Sequence, residues 1–215
     1  MQGVPFLMNL TSMALLLNLR NNPQTTIQNS FIYVDVTSMG RSNGGSVLIT
    51  ENDHGIYSYF RVSPAQVSSD YYFPYVVRDA GSIRNVRPIN GTIVVTSGMN
   101  GCALEVCYSN GAYNFFHDAD GRYMSNVTAP GTTVCRIEAN AYWSDTFCVS
   151  PSAMRYAQPT IYFICVYKSG FWHVGAFGFR IKFNPTGEDQ IHSCFSPIGG
   201  CYRGYFNDTI RLIQR

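Results

Sequence analysis

The chain has 215 residues and a formal net charge of +2; 13% of its residues are charged and 14% are aromatic. This composition excludes a disordered tail, and the length suits one folded domain over residues 1–215. The small net charge argues against binding to nucleic acid or to an anionic membrane surface. No run reaches the roughly 18 consecutive apolar residues of a membrane-spanning helix.

The first predicted element is an amphipathic helix over residues 5–20. Leu7, Leu10, Ala14 and Leu17 recur close to helical spacing. The same stretch lacks the basic start and the clean small-residue cleavage site of a signal peptide, so a packed helix is the better interpretation. A second, short helix is predicted around Ser152–Tyr156.

After Pro23 the sequence becomes a series of short aromatic and β-branched runs separated by Gly, Asn, Pro and Ser clusters, which is typical of strands and turns. The predicted strands are Phe31–Thr37, Ser46–Thr50, Ile56–Val62, Tyr71–Arg78, Thr92–Thr96, Ala103–Tyr108, Ala112–His117, Thr132–Ala139, Thr160–Lys168, Trp172–Phe183 and Thr209–Ile213. There is no internal repeat and no linker. We therefore expect one mainly β domain of the α+β class, with helices packed outside.

Seven cysteines lie at positions 102, 107, 135, 148, 165, 194 and 201. No Cys-x-x-Cys pair occurs, and several of the cysteines fall within apolar runs, where a thiol behaves as a small hydrophobic group. We therefore expect reduced thiols and a protein that acts in a cytosol. His192, Cys194 and Cys201 offer three zinc ligands without a suitably spaced fourth, so no metal is expected. No dinucleotide-binding loop is apparent, and no cofactor is expected.

The window of residues 92–117 carries the chemistry. An apolar strand leads into a glycine-bearing loop that ends at Cys102; a second strand, the turn residues Asn110 and Gly111, and a third strand ending at His117 follow. Asn-Gly favours a two-residue type I′ turn, which pairs Leu104 with His117 and makes Cys102 a diagonal neighbour of His117 on one sheet face. Moving the loop back by one residue would place the two directly opposite each other. A three-residue loop would put them on opposite faces.

A cysteine beside a histidine is the pattern of thiol catalysis, because an imidazole can remove the proton of a thiol whose ordinary pKa is about 8.5. Thr96, at the end of the preceding strand, is the candidate hydrogen-bond partner that orients His117. The candidate oxyanion donors are backbone N–H groups of the loop before Cys102, at Gly98, Asn100 and Gly101. The competing interpretation makes Cys102 a buried small residue and His117 an ordinary strand residue.

This window resembles the papain-like glutamine deamidases, which include the bacterial chemoreceptor deamidase, cytotoxic necrotizing factor and Burkholderia lethal factor. Members share a Thr or Ser at a strand end, a loop closing in Gly-Cys, and a His ending a later strand. Here Thr96 precedes Cys102 by six residues and His117 follows it by fifteen. The run Met99-Asn100-Gly101-Cys102 keeps the Gly-Cys but departs from the family pattern at Asn100. The length most resembles that of the lethal factor.

The resemblance implies a sandwich of two mixed or antiparallel β-sheets with helices outside, in which Cys102 is the nucleophile, His117 the base and Thr96 the orienting residue. It also implies a monomeric, toxin-like protein-glutamine deamidase that is made in a bacterial cytoplasm and delivered to act in a host cytosol. The expected partner is a host protein bearing the target glutamine, either a translation-initiation helicase or a small GTPase.

Two other functions fit the sequence. One is a Rho-family GTPase deamidase or transglutaminase of the necrotizing-factor type, in which an amine can replace water in resolving the thioester. The other is a non-enzymatic β-sandwich that binds glycans or protein surfaces through its 15 tyrosines. A lowered pKa of the Cys102 thiol would favour an enzyme over a binding module.

Overall fold

Two short helices lie at the start of the described chain and pack on one face of a β-sheet. The computed structural model describes residues 14–40, 44–147, 157–182 and 190–212. Helix α1 spans Ala14–Asn21, and helix α2 spans Pro23–Gln28, where the fixed φ of proline suits the first helical position. Leu19 and Ile27 anchor the two helices in the apolar core beneath them. Of the described helices, none is long and apolar enough to cross a membrane.

The described strands form a larger and a smaller sheet. The larger sheet contains β1 Ile32–Asp35, β2 Gly45–Asp53, β3 Ser58–Pro64, β4 Asp70–Phe73, β6 Ile93–Thr96, β10 Gln158–Lys168, β11 Phe171–Lys182, β12 Gln190–Phe195 and β13 Tyr202–Phe206. The smaller sheet contains β5 Ala80–Val86, β7 Ala103–Ser109, β8 Ala112–Asp118 and β9 Thr132–Ile137. Short 3₁₀ turns occur at Thr37–Met39, Ala119–Gly121, Met124–Asn126, Ala139–Ala141 and Asp145–Phe147.

The larger sheet is mixed, with the strand order β1-β3-β2-β4-β6-β10-β11-β12. The pairs β1–β3 and β4–β6 are parallel, and the other neighbours are antiparallel. Strands β12 and β13 pair with different parts of β11. The smaller sheet is antiparallel throughout, in the order β5-β8-β7-β9. The α+β class and the two-sheet architecture are therefore confirmed.

Two apolar cores lie on opposite faces of the larger sheet. Residues 161, 163 and 165 of β10 enter one core, and residues 162, 164 and 166 enter the other, so this central strand is buried on both faces. The helices cover the second core. The smaller sheet closes the first with side chains of β7 and β8. The layers therefore follow the order helices, larger sheet, smaller sheet, and the candidate pair lies between the two sheets.

Three strands were not predicted, because their sequences do not alternate cleanly. In β5, Asn85 has a φ of 61° and the pairing shifts between Ile83 and Val86, which interrupts the two-residue period. In β13, Gly204 interrupts an otherwise aromatic run, and the half-exposed β12 is the third strand missed. The predicted strand Thr209–Ile213 is wrong: residues 209–212 are not in a strand, and residue 213 lies outside the described residues.

The helix predictions were partly correct. Helix α1 confirms the end of the predicted helix, whose residues 5–13 lie outside the described part of the chain, as does the segment Ser152–Tyr156. Helix α2 was not predicted. The strand predicted over Tyr71–Arg78 was too long: it ends at Phe73, because Pro74 has no N–H group to continue the ladder.

Candidate functional site

The β7–β8 hairpin brings Cys102 and His117 to the inter-sheet face of the smaller sheet. The two loop residues, Asn110 and Gly111, have φ values of 51° and 75°, as a type I′ turn requires. Leu104 therefore pairs with His117. Cys102 directly precedes β7 and packs in the same core as Leu104. The first of the two favourable registers is thus confirmed, with Cys102 diagonal to His117.

A hydrogen bond between the two sheets fixes the imidazole of His117. Thr96 ends β6, and its Oγ1 lies 2.9 Å from Nδ1 of His117 and 2.8 Å from the carbonyl oxygen of Phe73. Because a carbonyl only accepts, the hydroxyl proton goes to Phe73, and Nδ1–H of His117 donates to Oγ1. This tautomer leaves the lone pair on Nε2, the form that a general base needs. The predicted contact between Thr96 and His117 is confirmed.

Burial keeps His117 uncharged. Its side chain is fully enclosed, and this desolvation lowers its pKa to about 3. Among the described residues, Nε2 has no hydrogen-bond partner, so Sγ of Cys102 is not hydrogen-bonded to it in the resting geometry. A buried acceptor without a partner is costly and uncommon in a stable core. His117 is therefore a candidate general base for a substrate that enters the site.

The thiol of Cys102 is also held in its neutral form. Burial raises its pKa, while backbone N–H groups of Asp120 and Asn100 oppose the rise by donating to the sulfur. The lowered thiol pKa expected of an enzyme is therefore wrong for the resting state. Thiol and imidazole rest as a neutral pair, and by the criterion of a lowered thiol pKa the resting state favours a binding module over an enzyme.

The loop between Thr96 and Cys102 is anchored to the larger sheet. Met99 donates its N–H to the carbonyl of Ile161 at 2.7 Å and accepts from the N–H of Ile161 at 2.9 Å. Gly101 has a φ of 105°, and a Cβ there would point into open space, so backbone conformation rather than crowding requires glycine. The local backbone conformation therefore requires a glycine immediately before Cys102.

Tyr142 reaches the same loop from the segment after β9, and sequence reasoning missed it. Its buried hydroxyl donates to the carbonyl of Cys102 at 2.7 Å. Of the predicted oxyanion donors, the backbone N–H of Gly101 lies near the Tyr142 hydroxyl and lowers its pKa, while the N–H of Asn100 lies near the sulfur and lowers the thiol pKa. Gly98 packs so tightly that a Cβ would lie 2.1 Å from Thr160.

A charged network on the outer face of the smaller sheet holds the turn that follows β8. Arg136 on β9 pairs with Glu105, lies 3.6 Å from the carboxylate of Asp118, and donates to the carbonyl of Gly121 at 3.1 Å. The turn residue Asp120 has a φ of 53°, which is uncommon for a non-glycine residue. The network therefore holds the turn that follows β8 through the carbonyl of Gly121.

Tyr75 covers the imidazole from the loop after β4, and sequence reasoning missed this contact too. Its ring centroid lies 5.1 Å from that of His117, with the rings inclined by 57°, and the side chain is 43% exposed. Burial raises the pKa of Tyr75, and the nearby Cys102 and Asp120 raise it further. A substrate approaching Nε2 or Sγ would meet Tyr75.

The described residues offer no metal centre, since no group of three or more His, Cys, Asp or Glu side chains among them is placed to hold an ion. The six described cysteines carry free thiols, and Cys148 lies outside the described residues. The chain matches no family model and no curated protein significantly.

Proposed function

We propose that the protein is a cysteine amidohydrolase that converts the side chain of a glutamine on a protein substrate to glutamate. The observation that carries this proposal is the tautomer of His117. Thr96 accepts from Nδ1–H, which leaves an unprotonated, unpartnered Nε2 on the sheet face that also holds Cys102. Thr96 engages one ring nitrogen and burial keeps the other unprotonated, so His117 offers a base on this face.

The reaction begins from the neutral pair. As Sγ of Cys102 attacks the carboxamide carbon, its proton passes to Nε2 of His117, and the C=O electrons move to the oxygen. The imidazolium then returns the proton to the departing nitrogen, releasing ammonia and a thioester. Water, deprotonated by the same Nε2, attacks the thioester carbon; the glutamate product leaves and the thiol is restored.

Backbone donors stabilise the negative charge that this sequence creates. The N–H groups of Asn100 and Asp120 already point at the sulfur, so they favour charge on it as the proton departs. Displacing Tyr142 from Gly101 would free a further donor in the same loop for the oxyanion. Proton transfer is thereby coupled to substrate entry, which explains a reactive centre that rests neutral.

The surface around the pair suits a protein substrate. Next to Tyr75, the apolar side chain of Val77 is 70% exposed and that of Val76 is also exposed. An exposed apolar rim beside a narrow reactive centre fits a protein surface that presents one glutamine. The same proposal places the protein's action in a host cytosol after delivery from a bacterial cell, on a translation-initiation helicase or a small GTPase.

The test is incubation with a eukaryotic cell lysate and a search by mass spectrometry for a glutamine converted to glutamate. Cys102→Ser should abolish the conversion, and Thr96→Val should slow it about 100-fold by freeing the imidazole. The matched control is Thr160→Val, at another buried threonine whose hydroxyl has no partner among the described residues; it should retain activity. Conversion that persists in Cys102→Ser would remove Cys102 from the mechanism.

A labelled primary amine in the same incubation separates hydrolysis from transglutamination. Hydrolysis predicts glutamate as the main product even when the amine is present. Preferential incorporation of the amine would keep the thioester chemistry but assign the transglutaminase function instead.

A further inference from the structure

A cavity of ≈ 360 Å³ lies at the turn end of the β7–β8 hairpin. It is framed by two neighbouring two-residue turns, Asn110-Gly111 and Ser169-Gly170, whose residues all have positive φ. Tyr113, in its floor, and His117 share one face of β8 and are four residues apart, about 13 Å at ~3.3 Å per residue. The cavity is therefore distinct from the thiol–imidazole pair.

Tyrosine rings form the floor and walls of this cavity. Tyr113 is buried and packs edge-on against Trp172, with ring centroids 5.7 Å apart. The half-buried Tyr108 and Tyr167 form the walls; their ring centroids lie 5.0 Å from Tyr113 and 5.2 Å from Trp172, respectively. These aromatic contacts hold the rings in place before any ligand arrives, as is usual for binding sites of this size.

Two exposed groups of opposite charge line the rim, Arg87 and Asp208. Asp208 lies close enough to Tyr113 for its charge to raise the pKa of that phenol, so rim and floor are adjacent. Among the described residues that line the cavity, Pro88 supplies the aliphatic surface, and there is no Leu, Ile, Val or Met. The lining therefore combines aromatic surface with hydrogen-bond donors and acceptors.

This lining selects against several classes of ligand. Arg87 would attract an anion that Asp208 repels, and the reverse holds for a cation, so the rim gives neither sign of charge a net preference. The rings of Tyr108 and Tyr113 are inclined by 56°, so they offer no parallel slot for a planar base. A pyranose offers a C–H face to an aromatic ring and a rim of hydroxyls that both donate and accept, which matches the guanidinium, carboxylate and phenol groups present. We propose that this cavity binds a neutral pyranose unit.

The test uses three probes: methyl β-galactopyranoside, methyl α-glucopyranoside and the methyl β-glycoside of N-acetylglucosamine. Saturation-transfer NMR on the full chain should detect binding of at least one, and titration should give its Kd. Asp208→Asn and Arg87→Met, both at exposed positions that the fold tolerates, should each weaken binding roughly tenfold, the effect of losing a charge-assisted hydrogen bond. Tyr167→Ala should remove detectable binding.

Matched controls separate this cavity from the rest of the molecule. Asp53→Asn changes an exposed aspartate at the far end of β2 and should leave the Kd unchanged, as should Cys102→Ser. The proposal would be overturned if none of the three glycosides bound, or if binding survived both rim substitutions. Binding of adenosine or of an anionic sialoside in place of the neutral sugars would overturn it as well.

Discussion

The two faces of strand β8 place neighbouring residues in opposite electrostatic surroundings. His117 points between the sheets, where burial holds its pKa at about 3 and no charged partner is needed. Asp118, the next residue, is equally enclosed but faces outward, 3.6 Å from the guanidinium of Arg136. A strand turns successive side chains to opposite faces, so one residue step separates a dry neutral base from an ion network.

The difference shows where this fold tolerates charge. Within the smaller sheet, the buried carboxylates Glu105 and Asp118 both lie on the outer face, where Arg136 neutralises them together. The inner face holds groups whose neutral forms are stable, and a base that must gain and lose a proton is placed there. The two faces meet at the turn after β8, which Arg136 holds through the carbonyl of Gly121.

Arg136→Met should produce the largest loss of unfolding free energy, because it removes the ion network of the outer face and leaves the side chains of the inner face unchanged. Two enclosed carboxylates would lose their cation, and removing one partner of such a network costs about 3 kcal/mol. Urea denaturation at pH 7 measures the loss. This loss of unfolding free energy should shrink as the pH is lowered, because burial raises the pKa of Asp118 and a protonated carboxyl needs no cation.

The control for that experiment is Glu138→Gln, which removes a second partner of Arg136. The side chain of Glu138 is 56% exposed, so its ion pair at 2.9 Å is screened by water and should contribute less than about 1 kcal/mol. If Arg136→Met and Glu138→Gln lowered the free energy of unfolding equally, the enclosed network would not be what stabilises the outer face.

The sequence predicted the parts of the site that depend on local geometry. Asn110-Gly111 sets the turn, the turn sets the register, and the register places Cys102 beside His117. Thr96 was predictable because it ends the strand that leads into the loop. Tyr142 and Arg136 were not, since their contacts depend on how elements distant in the chain pack together.

Tyr75 and the thiol pKa show where a local argument fails. Tyr75 follows Pro74 in a segment that reads as strand, and only the packing of the β4 end against β8 brings it over His117. The sequence places a thiol and an imidazole close together, but the depth of burial decides whether they rest as ions or as neutral groups. That depth is set by the closure of the two sheets, which residue spacing does not reveal.

The inner face can be tested through the pH dependence of stability. Unfolded His117 takes up a proton as the pH falls through about 6.5, whereas the folded residue does not until about pH 3. Its contribution to stability is therefore full above pH 6.5 and is lost as the pH falls, by about 1.4 kcal/mol per pH unit. The free energy of unfolding of the wild type, measured by urea denaturation, should be lower at pH 4.5 than at pH 7. About 3 kcal/mol of that difference should come from His117.

His117→Gln removes that titration and should flatten the pH dependence by the same amount. His54→Gln, at an exposed histidine, is the matched control and should leave the slope unchanged. Equal slopes in the wild type and His117→Gln would mean that His117 is protonated in the folded protein. The inference that His117 on the inner face is uncharged would then be wrong.

The smallest expected effect comes from opening the cover of the inner face. Tyr75→Ala removes a ring contact worth roughly 1 kcal/mol, so alkylation of Cys102 by iodoacetamide should accelerate about fivefold, followed by peptide mass spectrometry. Val77→Ala, on the same loop but away from the imidazole ring, should have no such effect.

Cys107 on strand β7 provides an internal reference for the alkylation of Cys102. It lies on the outer face, its pKa is raised to about 11 mainly by burial, and its alkylation should be unchanged. Acceleration at both cysteines would indicate a general loosening of the sheet, whereas acceleration at Cys102 alone would identify Tyr75 as the gate to the pair.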